Sequence, residues 1–277
     1  MYDHFSQVAM APFHQHIVSS MEKIRGDRPL IHSITNFVTM NITANALLAI
    51  GASPVMAHAI EEVEEMTALS RALVINTGTS DPERVKSMKR AMQKASRCGK
   101  PIALDPVGAG ATPYRRRVVR ELMEAARPTV LCGNASEIRA LVDKGAQTRG
   151  VDSTVSPLEV LEAARTLSQD LGCVIVVSGK TDLVVAGNTN AQVRNGCAMM
   201  GKVSGLGCTA TALTAAFMAV EQSAFEAALQ AMAVMGVAGE VAAEQARGPG
   251  SFHYHFLDAL YQLDLEQLKQ RLNITKS

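Results

Sequence analysis

The chain has 277 residues, 47% of them hydrophobic, enough to bury a substantial core. Its formal net charge of +1 excludes the strongly basic balance that nucleic acid or an anionic membrane surface would call for. The N-terminus lacks a basic region followed by a secretory apolar run, and no uninterrupted apolar segment approaches a membrane span, so a soluble protein is expected. The five cysteines, Cys98, Cys132, Cys173, Cys197 and Cys208, are odd in number and widely spaced. They fit a reducing, cytoplasmic setting better than a disulfide framework or a compact zinc site.

In chain order, Leu30-Ile31 reads as part of a first strand, and Glu61-Glu62-Val63-Glu64-Glu65 as an exposed helix surface. Ala72–Ile75 is the next strand. Ser80-Asp81 then precedes a helix over Pro82–Cys98, with proline in the first turn. A strand at Ile102–Leu104 and a helix at Tyr114–Ala126 follow. The run Arg115-Arg116-Arg117 in that helix reads first as a solvated face or helix end, with phosphate contact the second reading. Thr129–Leu131 is a strand, Pro157–Asp170 a helix started by Ser156, and Cys173–Val177 and Leu183–Ala186 are further strands. Several of these strands are almost wholly apolar, as strands covered on both faces are.

The alternation predicts an α/β fold with a central, mostly parallel β-sheet flanked by helices. Two long Ala-rich helices, Cys208–Glu221 and Phe225–Arg247, separate near Gln222-Ser223. Gly248-Pro249-Gly250 reads as a break before a last helix over His255–Arg271. No linker divides the chain, so one continuous domain over 1–277 is expected.

Open α/β sheets bind ligands beyond the carboxyl ends of their strands, so the polar turns that follow strands matter most. Asn76-Thr77-Gly78-Thr79 is the first. Asp105-Pro106-Val107-Gly108-Ala109-Gly110-Ala111 is the second, either a tight glycine turn or a carboxylate set beside a metal–phosphate complex. In Gly133-Asn134-Ala135-Ser136-Glu137, the spacing of Asn134 and Glu137 is that of a helix cap with its reciprocal glutamate. A carboxylate there serves equally in a site.

The most informative segment is Gly201-Lys202-Val203-Ser204-Gly205-Leu206-Gly207-Cys208, which leads into an apolar helix. Its glycines let backbone approach a ligand, and free N–H groups at a helix start hold phosphate. It is neither a Walker A nor a Rossmann glycine pattern. Cys208 at the helix start has two readings: a thiol whose pKa the helix lowers, able to accept a hydroxyl proton, or a buried structural cysteine. Asp182, after Ser178-Gly179-Lys180-Thr181, reads as a loop residue satisfying backbone donors or as a site residue. His253 and His255 read simply as part of a helix approach.

Together these segments resemble the hydroxyethylthiazole kinase family, within the wider ribokinase-like kinases. The matching pieces are His32–Asn36, Thr43–Met56, Asp105–Ala111, Gly133–Ile138 and Ser204–Cys208, in order and over nearly the whole chain. The resemblance implies ATP-dependent phosphorylation of the hydroxyethyl group of 4-methyl-5-(2-hydroxyethyl)thiazole, with Mg²⁺, in a homotrimer with active sites at subunit interfaces. It implies that Met56 contacts the thiazole, that Gly205 binds substrate, and that Asn36 and the motif around His32 shape the same pocket. Cys208 matches the position of the proposed base, and the amides from Gly205 through Gly207 to Cys208 form an anion hole. Asp105 and Glu137 match the Mg²⁺–ATP site, with Asn134 orienting it. Ser178 stands where a threonine commonly contacts ATP and keeps the hydroxyl. Cys132 stands where the family commonly has an ATP-binding arginine, a cation that Lys202, Arg115 or Arg116 would have to replace. Two other readings remain: a kinase for another small hydroxyalkyl heterocycle, and a catalytically weak ligand-binding protein that kept the fold.

Overall fold

Strands that are apolar on both faces must be covered on both, and the structure, a computed structural model, resolves that demand with two helical layers. It describes residues 4–142 and 157–277. In chain order the elements are α1 (His4–Asp27), β1 (Leu30–Ile34), α2 (Met40–Ile50), β2 (Ser53–Val55), α3 (Val63–Leu69), β3 (Ala72–Asn76) and α4 (Pro82–Arg97). Next come β4 (Ile102–Asp105), α5 (Pro113–Ala125), β5 (Val130–Asn134), α6 (Ala135–Val142), α7 (Pro157–Leu171), β6 (Val174–Ser178), β7 (Asp182–Ala186) and β8 (Thr189–Val193). After a 3₁₀ turn at Ala198–Lys202 follow α8 (Leu206–Met218), α9 (Ala224–Gln245), α10 (Pro249–Gln262), α11 (Leu265–Arg271) and β9 (Ile274–Lys276).

The described strands form one nine-stranded sheet in the order β2-β1-β3-β4-β5-β6-β7-β8-β9. The six strands from β2 to β6 run parallel, and β7, β8 and β9 continue antiparallel. Strand β3 shows the two-sided burial: Ala72 and Val74 join Leu47, Leu213, Phe217, Val234 and Phe252 on one face. Its Leu73 and Ile75 join Val85, Met88, Val118, Leu122 and Ile138 on the other. The sequence-based strands and the helices α4, α5 and α7 are thus in place, with ends moved by up to three residues. The expected start of α7 at Ser156 lies outside the described residues.

Three expectations change. The last helix is two, α10 and α11, because Asp264 caps a new start: its side chain accepts from the Gln267 backbone N–H while Gln267 bonds back. Gly248-Pro249 is where α10 begins, with proline in its first turn, rather than a free break. Finally, α9 is long and apolar enough to cross a membrane by length and composition, which the sequence reading did not anticipate. It is a core helix here, with 78% of its most apolar window buried against neighbouring elements.

Candidate active site

Parallel strands deliver their carboxyl ends to one edge of the sheet. There the register aligns Asn76 of β3 with Asp105 of β4, and Asn134 of β5 with Ser178 of β6. The amino end of α8 reaches the same edge. A cavity of about 160 Å³ lies between them, lined by Asp105, Cys132, Asn134, Glu137, Ser178, Gly205, Gly207 and Cys208, among others. Eight of the ten sequence-derived site residues therefore meet around one cavity.

Gly205 caps α8 in the left-handed region, φ 93°, which reverses the chain so that the first turn of α8 opens on the cavity. The N–H groups of Leu206, Gly207 and Cys208 have no acceptor within the helix. The Cys208 thiol does not behave as a helix start alone would have it. Burial, and then the negative charge of Asp105, push it up to about 12. Hydrogen bonds from Asn76, Thr39 and Asn36 offset only part of this, so the thiol holds its proton at neutral pH.

Asp105 is the centre of a polar network. The Asn76 amide donates to its Oδ2 at 2.6 Å, and the Thr211 hydroxyl donates to the same oxygen at 3.4 Å. Asn36 ties the network together, donating to Asn76 Oδ1 at 2.8 Å and to Cys208 Sγ at 3.4 Å. Its own Oδ1 accepts from the backbone of Val38 and Thr39, which fixes the loop after β1. Burial and the nearby charge of Glu137 push the Asp105 carboxyl up to about 8.

Glu137 fulfils both readings of its spacing. Asn134 Oδ1 accepts from the Glu137 N–H at 3.0 Å, and Glu137 Oε2 accepts from the Asn134 N–H at 2.9 Å, a reciprocal helix cap. Its other oxygen accepts from the Gly108 N–H at 2.7 Å, so the same carboxylate pins the glycine turn after β4 beside Asp105. Burial raises its pKa, while the two backbone bonds and Arg115 act the other way. Arg115 itself donates to the carbonyls of Val107 and Gly78 at 2.8 and 2.9 Å, stapling two of the turns. A basic residue read first as a solvated helix end is thus turned inward.

Cys132 is buried in the cavity floor and belongs to the core; burial pushes its thiol up to about 12. Ser178 sits at the far wall, 3.5 Å from the Gly133 carbonyl. Asn36 donates to Asn76 and Cys208 and is not among the residues that line the cavity. Met56 is likewise absent from its walls: it follows edge strand β2, three strands from β4, or about 14 Å at ordinary strand spacing. Sequence reasoning missed Thr211 and named Asn76 only as part of a polar turn, with no partner assigned. The signal for Asn76 was its place at the end of a strand next to the one ending in Asp105.

Asp182, read as a loop residue or a site residue, is the first residue of β7 and satisfies a backbone donor of the turn before it, accepting from the Gly179 N–H at 2.8 Å. Burial pushes its carboxyl up to about 7. A folded-state value above the unfolded one means that its stabilising contribution is complete below pH of about 4 and is lost as pH rises through about 7. Asp182→Asn keeps an acceptor for Gly179 and removes the titration. Urea unfolding is expected to show the variant more stable than the parent by roughly 2–4 kcal/mol at alkaline pH, with the gap closing on acidification. A gap independent of pH would remove the carboxyl as its source.

Sheet order, helical layers and a glycine-opened helix meeting a strand-end aspartate define the ribokinase-like class of α/β fold. Pyridoxal kinase from Staphylococcus aureus in complex with pyridoxal shares that fold, with a TM-score of 0.63 over 90% of this chain and 97% of that one, at 17% identity. The chain belongs to the hydroxyethylthiazole kinase family, whose sequence model matches residues 21–266. Hydroxyethylthiazole kinase of Leptospira biflexa serovar Patoc is 51% identical over 263 residues, 94% of this chain and 98% of its own. That of Syntrophus aciditrophicus is 52% identical over 257 residues, 92% and 95% of the two chains. The solved structure of the hydroxyethylthiazole kinase protein from Pyrococcus horikoshii OT3 superposes with a TM-score of 0.87 at 41% identity, covering 95% of this chain and 99% of that one.

Proposed function

We propose that this protein transfers the terminal phosphoryl group of ATP to the hydroxyl of 4-methyl-5-(2-hydroxyethyl)thiazole, giving the thiazole phosphate and ADP for thiamine biosynthesis or salvage. The observation that carries the reading is the meeting of the Gly205–Cys208 helix start with Asp105 across one small cavity, in a chain of this family. The amides of Leu206, Gly207 and Cys208 are aimed where charge develops on the transferring phosphoryl group, and the α8 dipole adds to them. Asn134, Ser178 and the floor at Cys132 belong to the nucleotide side. Arg115, close enough to act on the charge of Glu137, is the cation we assign in place of the arginine that Cys132 does not supply.

Two buried carboxylates facing one cavity, each with its pKa raised by burial, fit a divalent cation that would relieve their repulsion. Among the described residues no group of three or more His, Cys, Asp or Glu side chains forms a cage. That suits Mg²⁺, which takes one or two carboxylates and completes its shell with water and phosphate oxygens. Asp105 is assigned to hold it directly. Glu137, whose oxygens already accept two backbone N–H bonds, is assigned to hold it through water. When bound, Mg²⁺ supplies neutralising charge to the phosphate oxygens.

Cys208, protonated at neutral pH, is assigned to orient the alcohol rather than to deprotonate it. Cys208→Ala is therefore expected to lower kcat by less than about tenfold, well short of the roughly 10²–10⁴-fold a general base supplies. A larger fall, with KM values unchanged, would restore the base role.

The assembly we assign is a homotrimer with interfacial sites. Phe37 and Val38, beside the Asn36 loop, and Leu48 on α2 are the exposed apolar groups such contacts would cover. Five free cysteines support a reducing, cytoplasmic setting. The deciding experiment is the initial rate of thiazole phosphate formation by purified protein with Mg²⁺ and ATP. A metal-dependent rate supports the reading. Folded protein that forms no product from this alcohol but phosphorylates another hydroxyalkyl heterocycle moves the assignment to that substrate.

A further inference from the structure

The turn that opens α8 is crowded on one side by α2, where Thr39 and Ile42 stand against Gly205. The chain reaches it from the other side, leaving β8 through residues 194–204, and there α9 supplies the seat. Met232 of α9 lines the active-site cavity. Gly236, Gly239 and Glu240 follow at i+4, i+7 and i+8, on the same face of that helix.

Both glycines let the incoming segment lie directly on α9. A Cβ on Gly236 would stand 2.6 Å from Asn195 Cβ and 3.0 Å from the Asn195 carbonyl carbon, and one on Gly239 would stand 2.5 Å from Met200 Sδ. Glu240 then fixes the segment in that seat. Its Oε1 accepts from Asn195 Nδ2 at 3.0 Å and from the Gly196 N–H at 2.9 Å. Asn195 is buried, and its amide gives one proton to Glu240 and the other to the Arg271 carbonyl at 2.7 Å. Its Oδ1 accepts from the Asn273 N–H at 2.8 Å, so the same residue also ties down the chain before β9.

The path from this seat to the anion-binding turn has little slack. Gly196, at φ 116°, turns the chain into the 3₁₀ turn, where the Met200 N–H donates to the Cys197 carbonyl and the Val203 N–H to the Met200 carbonyl. Val203 and Ser204 alone separate that turn from Gly205.

We infer that Glu240 is a positioning residue for phosphoryl transfer: by holding Asn195 and Gly196 on α9, it sets where the Gly205–Cys208 amides stand relative to Asp105. This rests on the reading of those amides as the group that stabilises the transferring phosphoryl. Glu240 does not line the cavity. The amides act on charge that develops in the transition state, so their displacement falls on kcat rather than on either KM.

The test uses the full-length protein with alcohol and ATP varied separately. Glu240→Ala is expected to lower kcat by about 10–10²-fold with both KM values within about twofold, the effect of a small misplacement of catalytic groups. Glu240→Gln keeps an oxygen for Asn195 and Gly196 and should hold kcat within about threefold of the parent. Gly236→Ala attacks the same seat from the helix side. Alanine suits a helix interior, but its methyl must push the Asn195 backbone away, so kcat is expected to fall as in Glu240→Ala. Equal losses in Ala and Gln at position 240, a fall carried by the KM values, or an unchanged kcat in Gly236→Ala overturns the inference. Hydrogen exchange without substrates reads the turn directly at the Val203 and Thr209 amides, which bond to the Met200 and Gly205 carbonyls and not to Glu240. Exchange there is expected to quicken in Glu240→Ala and not in Glu240→Gln; equal exchange also overturns the inference. Failure of the parent to phosphorylate the alcohol would sink the reading of the activity alone, because the exchange arm still decides whether Glu240 sets this turn.

Discussion

Asp105→Asn is expected to lower kcat on the order of 10³-fold while leaving a folded protein at least as stable as the parent. The two halves of that expectation have the same cause. A carboxylate buried between Asn76, Thr211 and Cys208 is costly to keep charged, which is why burial and Glu137 hold its pKa near 8. Asparagine is nearly the same size, and its oxygen can still accept from Asn76, so the network survives without the buried acid. What is lost is the negative charge that Mg²⁺ needs at the strand end. Glu137 cannot replace it, because its oxygens are engaged by Gly108 and Asn134. The measurement is turnover against Mg²⁺ concentration, beside a thermal melt. Turnover within tenfold of the parent at the usual Mg²⁺ concentration would show that the site does not depend on this charge.

The same burial explains which parts of the molecule were legible in the sequence. Strands such as Ala72–Asn76 declare themselves because both faces are apolar, and α4 because Asp81 caps it ahead of a proline. Strands β2 and β9 are three residues each, too short to carry a pattern. Helix α2 stands out in the sequence as a family-matching segment rather than as a helix. Its β-branched Ile42 and Thr43, and its start without a side-chain cap, give little local signal. The split between α10 and α11 was hidden for the opposite reason: its apolar spacing runs on, and only the Asp264–Gln267 pair marks the interruption.

At the site, residue types were legible and their electrostatics were not. The Asp105, Glu137 and Gly205–Cys208 turns could be named because each follows a strand or opens a helix. The helix start at Cys208 suggested a lowered thiol pKa, and a sequence-local argument goes no further. The decisive influences come from 100 or more residues away in the chain, in burial against β3 and β4 and the charge of Asp105. Arg115 illustrates the same limit: three consecutive arginines look alike in sequence, and only the position of the Val107 and Gly78 carbonyls selects the first.

Gly205 is a place where those tertiary contacts leave little room, and Gly205→Ala is expected to lower kcat/KM by about 10²–10³-fold and to cost about 1–3 kcal/mol of stability. At φ 93° any side chain is strained. A Cβ there would also stand 2.9 Å from Ile42 Cγ2 and 2.9 Å from Thr39 Cγ2 on the opening turn of α2. Neither neighbour can retreat easily, since Ile42 is buried in the core and Thr39 follows the loop that Asn36 holds. The relief open to the chain is to tilt the first turn of α8, which moves the three amides away from the phosphoryl group. Gly207→Ala provides the control, because nothing lies within 4 Å of its added methyl and its φ is not in the left-handed region. Its stability is expected to stay within about 0.5 kcal/mol of the parent, any kinetic effect coming from the methyl meeting ligand. Full turnover and an unchanged melt for Gly205→Ala would mean that the helix start can shift without consequence, and the anion-hole assignment would fall with it.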